Sequence, residues 1–257
     1  MQLTGKTFVV TGGASGLGEA ISKKLISSGC NVVIFDIQEA DPQCLCDEQH
    51  HGQVLVPDAV DVRDVNQVAQ GMDQAKVRFG ALAGAIICHG IVHSPLDIKG
   101  YGPDDLLCSF KQFEYVINVN LLGTYNVAQQ VANTLIKQEP LDLDGERGAI
   151  VMVSSIAGID GAVLPYGTSK AAIAGLTLPF ARELAGFGVR VMTVAPGVFD
   201  TPMTRGMPPE YNAVAEKLQQ FPKRSGKPSE FASLVQTILE NTMLNGSVVR
   251  LDGGMRL

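Results

Sequence analysis

Apolar residues recur along this chain in two alternating rhythms. Short, nearly unbroken apolar runs rich in β-branched residues lie at 6–12 (KTFVVTG), 31–36 (NVVIFD), 52–61 (GQVLVPDAVD), 82–90 (LAGAIICHG), 147–155 (RGAIVMVSS), 188–197 (GVRVMTVAPG) and 246–254 (GSVVRLDGG). Each predicts a buried strand. Between them the apolar positions fall at helical spacing, as in GLGEAISKKLISSG (16–29), which closes on a glycine, and in DVNQVAQGMDQAKVRFG. A long helix is predicted over 110–138, and another carries Tyr166 and Lys170. Strands almost free of polar residues, each followed by a helix, specify a parallel sheet covered on both faces. No linker or internal repeat divides the chain, so residues 1–257 are read as one α/β domain of about seven strands. An eight-stranded α/β barrel would alternate in the same way. The glycine-rich turn directly after the first strand favours instead an open, doubly wound, Rossmann-like sheet.

That turn, TGGASGLG (11–18), leaves strand one and opens the first helix. Glycines there let the backbone approach a pyrophosphate, whose charge the helix N-terminus favours. The spacing of Gly12, Gly16 and Gly18 differs from the common Gly-x-Gly-x-x-Gly fingerprint, and tight strand–helix turns use glycine for steric reasons too. Asp36 adds weight. It ends the second strand eighteen residues after Gly18, where a carboxylate accepts hydrogen bonds from both hydroxyls of an adenosine ribose. A 2′-phosphate would meet that charge with no Arg or Lys beside it, and Ser15 is not basic either. The expected cofactor is NAD rather than NADP.

Tyr166 and Lys170 stand four residues apart, just over one helical turn, so both leave the same face of a helix. An isolated pair of this kind is commonly only a helix start. Beside a cofactor site it means more. An ammonium roughly 4–5 Å away stabilises a phenolate by about 3–4 kcal/mol at an effective dielectric near 20. That brings a phenol of pKa near 10 down by about two to three units, into reach as a general acid/base.

With 257 residues, 46% hydrophobic and 18% charged, the composition is that of an ordinary globular protein. A net charge of −6 argues against a dedicated nucleic-acid surface. No apolar run is long enough for a membrane span. The N-terminal MQLTGKTFVV carries one lysine and runs straight into a strand, unlike a secretory signal or an Arg/Ser-rich transit peptide. The expected compartment is the cytoplasm or the mitochondrial matrix. Five irregularly spaced cysteines suggest free thiols. The cluster CLCDEQHH (44–51) mixes potential metal ligands, but Cys-x-Cys is a poor match to ligand spacing, so no metal site is expected and the segment reads as a solvated loop.

Taken together, TGGASGLG, VDV (60–62), NVNLLG (118–123), VSS (153–155), YGTSK (166–170) and APG (195–197) resemble the short-chain dehydrogenase/reductase family over essentially the whole chain. Segments outside those motifs, chiefly 176–203, 221–241 and 244–256, are similar to its 3-hydroxyacyl-CoA and 17β-hydroxysteroid dehydrogenases, as are the extra residues around SPLDIKGYGPDDLL and EPLDLDGERG. The resemblance implies interconversion of a secondary alcohol and a ketone with NAD, acting on an acyl-CoA or a steroid, in a homotetramer. It implies that Tyr166 is the acid/base, with Lys170 beside it. Ser155 would hold the substrate oxygen and Asn120 would anchor a water near the lysine. Gly12, Ser15, Gly16, Leu17 and Gly18 would take the cofactor phosphates and ribose, Asp36 the adenine ribose, and Asp61 and Val62 the adenine. Cys88 and Gly90 would line the cofactor, and Phe199 and Thr201 would meet the nicotinamide, as would Tyr166 and Lys170.

Two departures stand out. ICHG (87–90) replaces the family's usual Asn-Asn-Ala-Gly, putting His89 where a small residue stands, and the gap from Ser155 to Tyr166 is shorter than usual. A carrier-protein-linked 3-oxoacyl reductase and a non-catalytic structural subunit are the competing readings. Residues 202–222 follow strand six on the carboxyl side of the sheet and are expected to form an apolar substrate lid.

Overall fold

The computed structural model describes residues 1–45, 53–92, 108–207 and 217–257. The strands are β1 (Thr7–Thr11), β2 (Asn31–Phe35), β3 (Val54–Leu55), β4 (Gly84–Ile87), β5 (Gly148–Val153), β6 (Val189–Pro196) and β7 (Val248–Leu251). All described strands join one parallel sheet in the order β3-β2-β1-β4-β5-β6-β7. The order reverses between β1 and β4, so a crevice opens beyond their carboxyl ends, where doubly wound sheets bind ligands.

Side-chain alternation explains the two covered faces. Phe8 and Val10 of β1 point into a core shared with α1 (Gly16–Ser27), and Val9 points into the opposite one. The first core receives Ile21, Leu25, Phe231 and Val235; the second receives Val68, Met72, Val127, Val131 and Ile173. The helices that supply them include α3 (Val65–Phe79), α5 (Gly123–Leu135), α7 (Tyr166–Ala185) and α9 (Pro228–Glu240). Shorter helices are α2 (Pro42–Leu45), α4 (Phe110–Ile117), α6 (Ile156–Asp160) and α8 (Pro202–Arg205).

Two predicted elements come out differently. The third strand pairs over only two residues; after Leu55 the chain leaves the ladder and meets the end of β2 again where Val60 N–H donates to Asp36 O at 2.8 Å. The single helix expected at 110–138 is α4 and α5 joined by a π-helical turn, Asn118–Leu122. There Gly123 N–H bonds back to Asn118 O, five residues earlier, which bulges one extra residue out of the α-helical register.

The segment SPLDIKGYGPDDLL, most of the 44–51 cluster, and the middle of the expected lid lie outside the described residues. Among the described residues no helix is long and apolar enough to cross a membrane.

Candidate active site

The crevice is a cavity of about 680 Å³, inside the usual range for a small-molecule site. One end is the glycine turn. Gly12 and Gly16 have φ of 65° and 55°, and a Cβ on Gly18 would stand 2.1 Å from Gly12 O. Only glycine allows α1 to start this close to β1. Ser15 is the N-cap residue of α1, yet its side chain makes no cap hydrogen bond. Its hydroxyl is therefore uncommitted at the cleft wall, beside a helix start that leaves its leading N–H groups without intrahelical partners, a fitting cradle for a pyrophosphate.

Asp36 follows β2 and lines the same cavity. Its carboxylate accepts from Ala14 N–H and Gln38 N–H, both at 3.0 Å. It braces the glycine turn while keeping further acceptor capacity on both oxygens. Asp61 and Val62 also form the wall. Arg63 grips the Asp61 carboxylate through Nε and Nη2 and holds its carboxyl below the ordinary carboxylate range. Among the described residues the Lys and Arg side chains in the wall are Arg63, already paired, and Lys170 at the far end. No other Lys or Arg of the described residues lines the wall beside Asp36.

Cys88 and Gly90 lead from β4 into the cleft. Burial pushes the Cys88 thiol up to about 12, so it stays protonated and unreactive. A Cβ on Gly90 would lie 3.1 Å from Lys170 Nζ and 3.4 Å from Asn120 Oδ1, so glycine makes room for both. Thr201 caps α8 through Thr204 N–H. Phe199 turns its ring into the core, edge-on to Phe231, and contributes to the wall as part of the turn that follows β6.

At the other end, Ser155 follows β5 and caps α6, accepting from Ala157 N–H at 3.2 Å. That leaves the hydroxyl hydrogen to donate. Tyr166 is the first residue of α7, and Lys170 one turn later sits with Nζ 5.7 Å from the tyrosine ring centroid. Lys170 is 3% exposed and donates to Val153 O at 2.9 Å. Burial lowers its pKa to about 8. Asn120 stands apart from the other predicted residues. It is fully buried behind Gly90 and is not part of the cavity wall. Its amide accepts from Ile91 N–H and donates to Ile91 O and to Ser169 Oγ.

Sequence reasoning missed Ser169, which takes the Asn120 bond and donates to Tyr166 O at 2.6 Å. Its place inside YGTSK, three residues after Tyr166, was the available signal. Val163, a cavity-wall residue with φ of 62°, carried none.

Fold and cleft define a doubly wound protein built for a nucleotide cofactor. The sequence model described as short chain dehydrogenase matches residues 6–212, and the chain belongs to the short-chain dehydrogenase/reductase family of oxidoreductases, which use nicotinamide cofactors. It is 39% identical over 252 residues to 3-hydroxyacyl-CoA dehydrogenase type-2 of Drosophila melanogaster, covering 97% of this chain and 96% of that one. It is 34% identical over 262 residues to the 3-oxoacyl-[acyl-carrier-protein] reductase FabG of Thermotoga maritima, covering 99% of each. The crystal structure of 3-hydroxyacyl-CoA dehydrogenase type-2 from Mycobacterium avium superimposes with a TM-score of 0.86 at 36% identity, covering 98% of this chain and 96% of that one.

Proposed function

We propose that the protein is an NAD-dependent dehydrogenase that interconverts 3-hydroxyacyl-CoA and 3-oxoacyl-CoA thioesters, with hydroxysteroids as secondary substrates. The observation that carries this is one cavity with Asp36 at one end and Tyr166, Lys170 and Ser155 at the other. The relatives' names supply the substrate class. The wall beyond Tyr166 is apolar, with Ile156, Val163, Met203, Met207, Leu218 and Met255, which suits an acyl chain or a steroid ring. Residues 202–222, which supply three of these, are the proposed substrate lid.

A nicotinamide dinucleotide, when bound, supplies or accepts the hydride. The remaining chemistry belongs to the chain. Ser155 donates its hydroxyl hydrogen to the substrate oxygen and holds it in place. Tyr166 gives that oxygen a proton during reduction and takes it back during oxidation. Lys170, with two ammonium hydrogens left after its bond to Val153 O, supplies the charge that favours the phenolate and reaches the cofactor ribose. Asn120, its side-chain amide committed to Ile91 and Ser169, holds the π turn and α7 in register.

A carrier-protein-linked reductase uses the same catalytic groups, and the FabG relative keeps it in view. The carboxylate of Asp36, with no free Lys or Arg beside it among the described residues of the wall, favours NAD and weighs against it. The test of the catalytic reading is Tyr166→Phe. It should leave NADH binding nearly intact and lower acetoacetyl-CoA reduction by about a hundredfold or more. Retention of more than about a tenth of the activity would overturn the assignment.

A further inference from the structure

We infer that His89 is a positioning residue: a neutral imidazole that clamps the end of β4 to the π turn carrying Asn120 and so sets the cofactor cleft. The chain of hydrogen bonds has one consistent direction. Thr11 Oγ1 accepts from the backbone N–H groups of Cys88 (3.1 Å) and His89 (3.3 Å). Its own hydrogen is left for His89 Nδ1, 2.7 Å away. Nδ1 is thus the acceptor, and Nε2 carries the ring hydrogen and donates to Val119 O at 3.1 Å. The imidazole joins a fixed donor set on β1 and β4 to a fixed acceptor on the π turn.

The π turn and the glycine after it fit this ring. In a regular α-helix Val119 O would accept from Gly123 N–H, but that N–H goes to Asn118 O. Val119 O is released from that partner and turned to His89. A Cβ on Gly123 would stand 3.1 Å from His89 Nε2 and 2.6 Å from Val62 Cγ2, so a side chain there would crowd the imidazole and the adenine wall together. One residue on, Asn120 is bonded to Ile91 in both directions. Residues 89–91 and 119–120 are therefore stitched at two adjacent points, and Gly90 between them faces Lys170. His89 also forms part of the cavity wall. The charged groups acting on the ring are Lys170 and Asp61; burial and the Lys170 charge hold its pKa down, to about 3. An acid/base catalyst needs the opposite, a group that titrates in the working range.

The inference rests on the cleft being the cofactor site proposed above, so its test includes readouts other than turnover. In the intact wild-type protein, imidazole ¹⁵N shifts should place the His89 hydrogen on Nε2 and show no titration between pH 8 and pH 5. His89→Ala should weaken NADH binding about tenfold by fluorescence titration and lower kcat by less than about tenfold, with the pH limbs of kcat unmoved. His89→Gln should restore most of the NADH affinity, because its amide nitrogen occupies the place of Nε2 and can donate to Val119 O. A proton on Nδ1, titration near pH 6.5, unchanged NADH affinity in His89→Ala, or a failure of Gln to restore it would each overturn the clamp. So would a loss of kcat of a hundredfold or more with a missing pH limb, which would make His89 a catalytic residue. If His89→Ala does not fold, the ¹⁵N spectrum and the Gln variant decide. If the wild-type protein binds no NADH, the proposed function fails and the ¹⁵N spectrum still reads the tautomer.

Discussion

Lys170 is a charge held where charge is costly. Its tetramethylene stem and ammonium are buried between α7 and β5, with Val153 O as the acceptor. Burial favours the neutral amine and brings the pKa to about 8 from 10.5. Two consequences follow at this scale. Below pH 8 the ammonium is present, and in the proposed mechanism it supports the Tyr166 phenolate; above it that support fades. For stability the sign is fixed by proton counts: between pH 8 and 10.5 the unfolded chain holds a proton that the folded chain has released. Stability therefore gains from rising pH in that window, and Lys170→Met should remove this gain, seen as a smaller rise in denaturation midpoint from pH 8 to pH 10 than in wild type. An equal rise in both would place the lysine in water. The proposed cofactor preference rests on Asp36. NADH should be favoured over NADPH by about a hundredfold or more in kcat/KM, and Asp36→Ala with Ser15→Arg should narrow or reverse that ratio. Because Asp36 also braces Ala14 N–H, the single Asp36→Ala change should weaken both cofactors. Equal use of the two by the wild-type protein would mean that the carboxylate serves only the turn.

At the scale of elements, much of the site was legible because its residues sit at strand ends and helix starts, where spacing alone places them. The glycine turn, Asp36, Ser155 and the Tyr166/Lys170 pair all reach one cavity for that reason. Asn120 was legible as a residue but not as a position: the apolar period of 110–138 is continuous through the π turn, and only the Gly123-to-Asn118 bond reveals the bulge. Val163 was invisible because nothing in its own residue type asks for a positive φ. Its conformation is imposed by the short connection between α6 and α7, where Gly167 N–H takes Val163 O at 2.6 Å and a Cβ on Gly167 would strike Ala162 O. A β-branched residue with φ of 62° carries strain of about 1–3 kcal/mol. Val163→Gly relieves it and restores about 1 kcal/mol of unfolded-chain freedom, so the melting temperature should change little. The cavity wall, however, loses an isopropyl group three residues from Tyr166. Longer 3-oxoacyl-CoAs should gain kcat/KM relative to acetoacetyl-CoA, and an unchanged ratio would remove Val163 from the substrate wall.

Across the whole molecule, the sheet order puts the switch between β1 and β4 at the cavity, so the glycine turn with Asp36 and the end with Ser155, Tyr166 and Lys170 share one crevice. The fold class was legible from the strand–helix alternation and the single glycine turn, since buried parallel strands leave few polar interruptions to mislead the reading. The substrate was not, because an apolar wall serves an acyl chain and a steroid alike. Substrate identity is also where the central claim is most exposed. The measurement is the initial rate of NADH oxidation by the wild-type protein, with acetoacetyl-CoA set against longer 3-oxoacyl-CoAs, their carrier-protein counterparts and, in the oxidative direction, 17β- and 3α-hydroxysteroids. Acetoacetyl-CoA should be reduced with the highest kcat/KM, and NADH should be the coenzyme that supports it. If every CoA thioester is inert while a steroid, a simple alcohol or a carrier-protein thioester turns over well, the 3-hydroxyacyl-CoA dehydrogenase account is contradicted.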